Sequence, residues 1–188
     1  MDRFLYGEEQ LTVGKALQIS RKELRGFIGK EAAENVLRCQ QYVEEIVDRQ
    51  HIVYGINTGF GPLCTTIISK EETEQLQSNI LQSHSVGVGD PISEEMTRLM
   101  MILKVHSLAK GYSGIRLSTL KRIIWLLEND LVPVVPSQGS VGASGDLAPL
   151  AHLFLPLIGH GKVHFEGKKV RASHPEWLSA GPFCDKAM

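Results

Sequence analysis

No apolar run in the 188-residue chain is long enough for a membrane-spanning helix, and the opening Met1-Asp2-Arg3-Phe4-Leu5-Tyr6-Gly7 has no secretory hydrophobic region, so no membrane partner is expected and the expected location is cytoplasmic. Cysteine is scarce. Cys39, Cys64 and Cys184 are odd in number, widely spaced and free of any C-x-x-C pair, which excludes a disulfide framework and a structural zinc site and reads as free thiols. The seven histidines, His51, His84, His106, His152, His160, His164 and His174, show no H-E-x-x-H or comparable ligand spacing, so no metal is expected. An excess of one charge is missing too. Lys and Arg total 20 against 21 Asp and Glu, giving a net charge of -1 without a basic stripe, and a nucleic-acid partner lacks its electrostatic footprint. What remains is an ordinary globular chain, 43% hydrophobic, long enough for one substantial domain over residues 1–188.

Its most informative stretch is Gly139-Ser140-Val141-Gly142-Ala143-Ser144-Gly145-Asp146-Leu147-Ala148-Pro149-Leu150, small residues set between a Val/Pro run and an apolar helix-like run. Glycines let peptide groups approach closely and take conformations closed to other residues. Four readings compete. A phosphate cradle wants Lys and then Ser or Thr after the glycines, where this loop has Asp146-Leu147-Ala148. A hydrolase elbow, G-x-S-x-G, is nearly met by Gly142-Ala143-Ser144-Gly145-Asp146 but ends in Asp. The third is self-modification: the Gly145 nitrogen attacks the Ala143 carbonyl carbon, the five-membered ring loses water, and Ser144 loses its hydroxyl as a second water to leave an exposed methylidene. Each residue type suits that scheme, because Gly145 offers an unhindered nitrogen, Ala143 an uncrowded carbonyl and Ser144 a β-hydroxyl. Ordinary side chains are poor electrophiles, so a protein that needs one recruits or builds it. The fourth reading is a tight loop opening a helix, the commonest meaning of such a cluster.

Gly142 to Leu150 resembles the signature of the histidine and aromatic amino acid ammonia-lyases, and the resemblance extends through Tyr54–Gly61, Leu76–Gly89 and Ser107–Arg116. It covers most of the chain from about residue 50 to about residue 165. The resemblance implies that Ala143-Ser144-Gly145 cyclises to 4-methylidene-imidazol-5-one with no external cofactor, that Asp146 and Leu147 support the electrophile, and that Tyr54 is the catalytic base. A tyrosine in that role needs its pKa brought toward working pH; from general tendencies alone Tyr54 is a partly buried residue with a satisfied hydroxyl. Gly61, Ser83 and His84 stand at substrate-binding positions. Ser-His resembles the histidine-specific members, although some tyrosine-acting ones share it, and a histidine near a helix end is more commonly a cap. The implied reaction converts L-histidine to trans-urocanate and ammonia, with tyrosine or phenylalanine ammonia-lyase and aminomutase as alternatives inside the family. A catalytically silent fragment or subunit is the alternative outside it. The implied assembly is a homotetramer with active sites shared between subunits. An arginine to clamp the substrate carboxylate and the helical bundle of the family find no counterpart, so the chain reads as an N-terminal portion.

The fold expected is mainly α, with short strands near Tyr54 and in the 160s. Residues 1 to about 15 read as extended, and Ser20-Arg21-Lys22-Glu23 as a capping box opening a helix that breaks near Gly26–Gly29. Helices are predicted from Lys30 to Gln50, with Ala33, Val36, Leu37, Val43, Ile46 and Val47 inward and Cys39 and Tyr42 bordering them, and from Glu71 to Leu81. Further helices are predicted from Ser93 to Lys110, with Met96, Leu99, Met100, Leu103, Val105 and Leu108 apolar, and from Leu117 to Asn129. Tyr112 and Arg116 are expected to serve the framework. Leu131–Pro136 is too proline-rich for a central strand. Asp146 is placed to accept backbone amides at the start of a helix reaching Leu157. His160 to Val170 forms a hairpin on a Glu-Gly turn with both histidines exposed.

Overall fold

The computed structural model describes residues 3–58 and 70–173, with side chains from residue 75 in the second segment. The chain opens on a β-α-β unit. Strand β1 (Arg3–Tyr6) pairs in parallel with β2 (Arg25–Ile28), and α1 (Val13–Ser20) crosses between them. Thr12 starts α1, its Oγ1 accepting the Lys15 amide. Ser20 is therefore the last residue of that helix rather than the cap of the next. The predicted capping box fails because Lys22 takes a left-handed turn (φ 62°) that reverses the chain into β2.

Helix α2 (Lys30–Asp48) has Gly29 at its N-cap, which offers no side-chain acceptor. Glu8 supplies one from the loop after β1, its Oε1 accepting the Ala32 amide at 2.9 Å. The buried face is narrower than predicted: Ala32, Val36 and Ile46 are inside, while Leu37 and Tyr42 are exposed. Helix α3 (Lys70–His84) and strand β3 (Val88–Pro91) follow. Next comes α4 (Glu94–Leu108), capped by Ser93 Oγ on the Met96 amide, with Glu94 and Glu95 complementing the helix dipole. Its inward face is Thr97, Met101, Ile102 and Val105; Met96 and Leu103, two of the apolar residues noted in this helix, face outward. The unbroken apolar run Leu99–Leu103 hides which stripe is inward, and packing on α1 and on α5 (Leu117–Glu128) selects it.

The core is one cluster. Phe4 and Tyr6 from β1 meet Met101, Ile102 and Val105 of α4, Leu120, Ile123 and Leu126 of α5, and Leu131, Leu153 and Val163 beyond. Burial pushes the Tyr6 hydroxyl well above the ordinary tyrosine range, with Glu128 adding to the effect.

After α5 the Val/Pro run splits into two short strands. Strand β4 (Val132–Pro133) is the outer member of an antiparallel sheet with β6 (Lys162–Phe165) and β7 (Lys168–Arg171), and β5 (Pro136–Gln138) pairs with β3. The prolines of these strands thus sit at sheet edges. Glu166 and Gly167 both have positive φ (48° and 72°) at the β6–β7 turn, the geometry of a two-residue hairpin. His160 is exposed as expected. His164 is not: its side chain is 16% exposed and its Nδ1 lies 3.2 Å from Glu94 Oε1, because β6 lies beside the start of α4. Helix α6 (Leu147–Phe154) passes into a 3-10 turn over Leu155–Ile158. Among the described residues, 54–56 form a turn and Thr58 makes a single β-bridge.

Candidate functional site

The Ala143-Ser144-Gly145 loop is built by short-range bonds around Val141. The Val141 carbonyl accepts from the Ser144 amide (2.9 Å), the Ser144 hydroxyl (2.7 Å) and the Asp146 amide (3.3 Å), and the Gly145 amide donates to the Gly142 carbonyl (3.1 Å). Gly142–Ser144 is a 3-10 turn, and two left-handed residues follow, Gly145 (φ 81°) and Asp146 (φ 58°). Residues 139–147 are all exposed, and a β-carbon placed on Gly142 or Gly145 would meet nothing within 4 Å. The loop is held by itself and open to its surroundings.

Asp146 does not cap α6 with its side chain. Left-handed backbone turns that side chain away from the helix amides, and its Oδ1 instead accepts the Ser140 hydroxyl at 2.5 Å. This pair closes the base of the loop. Leu147, the first residue of α6, is 45% exposed, so it braces little by packing. Beside the loop lies an open groove of about 510 Å³, with Ser140, Gly145 and Asp146 on one side and Met100, Leu103 and Lys104 on another.

Tyr54 stands at the crest of a turn and is 63% exposed. The turn closes through the Ile56 amide on the Val53 carbonyl (3.1 Å), with Gly55 at φ 79°. Beneath it is Asn57, 2% exposed: its Oδ1 accepts the Val53 amide (3.0 Å) and its Nδ2 donates to the His51 carbonyl (2.7 Å). Asn57 thus fixes the backbone that carries Tyr54. Its role escaped the sequence reading, although an Asn beside several glycines is a recognisable turn brace.

Ser83 and His84 end α3, and both turn back on its last carbonyls. His84 Nδ1 lies 2.8 Å from the Ile80 carbonyl, and Ser83 Oγ donates to the same oxygen at 3.2 Å. A carbonyl can only accept, so a neutral ring that bonds to it donates from Nδ1 and offers Nε2 as an acceptor. Ser85 Oγ repeats the pattern on the Leu81 carbonyl (2.6 Å). The histidine therefore caps the helix end while presenting its other nitrogen.

Tyr54, Ser83 and His84 do not line the groove beside Ala143-Ser144-Gly145. Gly61, Cys64, Cys184 and His174 lie outside the described residues. Cys39 is free. Among the described residues no cluster of His, Cys, Asp or Glu could hold a metal, and no helix is long and apolar enough to cross a membrane. Tyr112 is 88% exposed, and Arg116 opens α5 as its N-cap.

Residues 11–176 match the aromatic amino acid lyase family. The chain is 45% identical over 179 residues to a histidine ammonia-lyase of Streptococcus pyogenes serotype M1, a match covering 95% of this chain and 33% of that protein. It is also 45% identical over 160 residues to a histidine ammonia-lyase of Streptococcus sanguinis strain SK36, covering 85% of this chain and 31% of the relative. Among solved structures it is similar to histidine ammonia-lyase from Trypanosoma cruzi, with TM-score 0.83 and 35% identity over 95% of this chain and 34% of that one. Tyrosine aminomutase from Streptomyces globisporus superposes with TM-score 0.85 at 30% identity, over 95% of this chain and 33% of that one. The chain spans about a third of the length of the curated relatives it matches. Because the family match runs from the helix after β1 through the β6–β7 hairpin, and so takes in α1 to α6 and the exposed Ala143-Ser144-Gly145 loop, the chain belongs to the aromatic amino acid lyase family.

Proposed function

We propose that this chain is the electrophile-forming portion of a histidine ammonia-lyase, which releases ammonia from L-histidine to give trans-urocanate in histidine catabolism. The observation that carries the reading is the 45% identity to histidine ammonia-lyases over 95% of the chain, beside 30% to the tyrosine aminomutase. Ser83-His84 agrees with it, since an imidazole nitrogen free to accept at the end of α3 suits the N–H of a substrate imidazole.

The loop fits the implied 4-methylidene-imidazol-5-one. Forming it requires a new bond from Gly145 N to Ala143 C, loss of the Ala143 oxygen as water, and loss of the Ser144 hydroxyl with its α-hydrogen as a second water. The residues needed are consecutive, their turn is already tight, and the open space around Gly142 and Gly145 leaves room for a five-membered ring. The group would supply an electrophilic methylidene carbon for the amino acid. The chain's own residues do the rest: Tyr54 removes the β-proton, His84 contacts the substrate imidazole, Gly61 and Ser83 shape its pocket, and the Ser140–Asp146 pair holds the loop. The strong exposure of Tyr54, and its absence from the groove beside the loop, favour a homotetramer in which Tyr54 of one subunit serves the loop of another.

Intact mass spectrometry tests ring formation: a mass lower than the unmodified chain by two waters is expected, and the full unmodified mass would refute it. Incubation of the full-length protein with histidine, tyrosine and phenylalanine tests the substrate. Urocanate absorbance is expected; coumarate or cinnamate without urocanate would overturn the assignment.

A further inference from the structure

The helix behind the Ala143-Ser144-Gly145 loop carries a histidine that neither the loop chemistry nor the substrate pocket uses. His152 lies in the second turn of α6, and its Nε2 accepts the Gly87 amide at 3.0 Å, across 65 residues of chain. Gly87 follows directly on Ser83-His84-Ser85-Val86, so this bond joins the end of α3 to the helix that starts beside the loop.

The junction has no spare space. A β-carbon on Gly87 would lie 3.1 Å from both the Gln138 carbonyl oxygen and His152 Nε2, and one on Gly139 (φ 129°) would lie 2.9 Å from Gly87 Cα. Two backbones therefore cross in near contact, one leaving the Ser83-His84 pair and the other entering the loop. Pairing of Val88 with Gln138 in the β3–β5 ladder extends the contact by one residue. The Gly87 amide bonds to the side chain of His152, and α3 packs on α6 beside it.

We propose that His152 is a positioning residue, which fixes the Ser83-His84 end of α3 against the Ala143-Ser144-Gly145 loop by accepting the Gly87 amide. This inference rests on the functional reading above, because the two segments matter together only if one binds substrate and the other becomes the electrophile. Accepting at Nε2 requires a neutral ring with its proton on Nδ1. Burial favours that form, holding the imidazole below the ordinary histidine range. Gly87 and Gly139 are small so that the backbones can meet, and His152 sets where they meet. Leucine at 152 would keep the bulk and remove the acceptor; glutamine would keep an acceptor oxygen at similar reach.

The test compares the wild-type chain with His152→Leu and His152→Gln by amide hydrogen exchange, thermal melting, intact mass and the imidazole nitrogen shifts of His152. The expected wild-type signature is a neutral ring protonated at Nδ1. In His152→Leu the Gly87 amide should exchange roughly five- to tenfold faster, the worth of one neutral hydrogen bond, and faster exchange should spread to residues 83–91 and 139–146 but not to α2 or α5. Formation of the doubly dehydrated species should slow, and His152→Gln should restore both. Unchanged protection at Gly87, equal loss of protection throughout the chain, a ring protonated at Nε2, or failure of glutamine to rescue while leucine melts at the wild-type temperature would each overturn the proposal. A wild-type chain of full unmodified mass refutes ring formation instead, and the exchange pattern still decides whether His152 couples the two segments.

Discussion

The Ser140 hydroxyl donates to Asp146 Oδ1 at 2.5 Å, and so ties together the two ends of the loop that contains Ala143-Ser144-Gly145. Hydrogen bonds to an ionised acceptor are the stronger kind, but both residues are exposed, so solvent competes and the pair is worth little to global stability. Its worth lies in geometry. Ser140→Ala should leave the melting temperature nearly unchanged and slow appearance of the doubly dehydrated mass, followed in freshly expressed protein. Wild-type kinetics of dehydration would show that the clamp is dispensable.

Ser144→Ala removes the hydroxyl that leaves as the second water. The variant should fold, because Ser144 Oγ bonds only within its own turn, yet show no methylidene absorbance and no turnover. Tyr54→Phe separates the two halves of the chemistry: ring formation should be complete while turnover of histidine by the full-length protein falls roughly a hundred- to ten-thousandfold, the usual worth of a positioned base. An unaltered rate would remove Tyr54 from that role.

Asn57 is the brace beneath Tyr54. Asn57→Ala strands the Val53 amide and the His51 carbonyl, each of which it now satisfies, at a cost of about 1–3 kcal/mol. Urea unfolding should show that loss. In the full-length protein kcat should fall while ring formation stays complete, since the Tyr54 turn is loosened and the loop is untouched. A drop in dehydration equal to the drop in turnover would point to general unfolding instead.

His106 supplies the pH dependence of the β1 end. Its Nδ1 accepts the Gly7 amide at 3.2 Å, and burial first, then Lys110, holds the ring below the ordinary value of 6.5. The unfolded chain therefore takes up a proton at a higher pH than the folded one. The stability His106 contributes is full above about 6.5 and is lost as pH falls below it toward the folded value. Urea midpoints measured from about pH 7.5 down to about pH 5 should decline, and the decline should shrink in His106→Gln. His152, shifted the same way, leaves a residue of the slope in that variant.

Five of the six helices among the described residues were legible because their signals are local. Ser93 before two glutamates, apolar spacing in α2, and Gly111 and Asn129 as stops need only neighbouring residues, and the Glu166-Gly167 turn needs only two. Misreadings arose where a distant partner decided. Ser20 ends α1 because the chain must turn there to lay β2 parallel beside β1, and Asp146 turns to Ser140 rather than to the helix because its backbone is left-handed. Glu8 caps α2 from another element, and no periodicity announces that.

Composition and motif alone fixed the class of chain, the family it resembles and the three consecutive residues fit to cyclise, because those are properties of residue type and order. Only the tertiary structure decided what holds that loop. Ser140 and Asp146 close it from within, while the Gly87–Gly139 crossing and His152 set it against the end of α3. Such bonds join segments far apart in the chain, and their geometry exists only once the core of Phe4, Ile102, Leu120 and Leu153 has packed and brought those segments together.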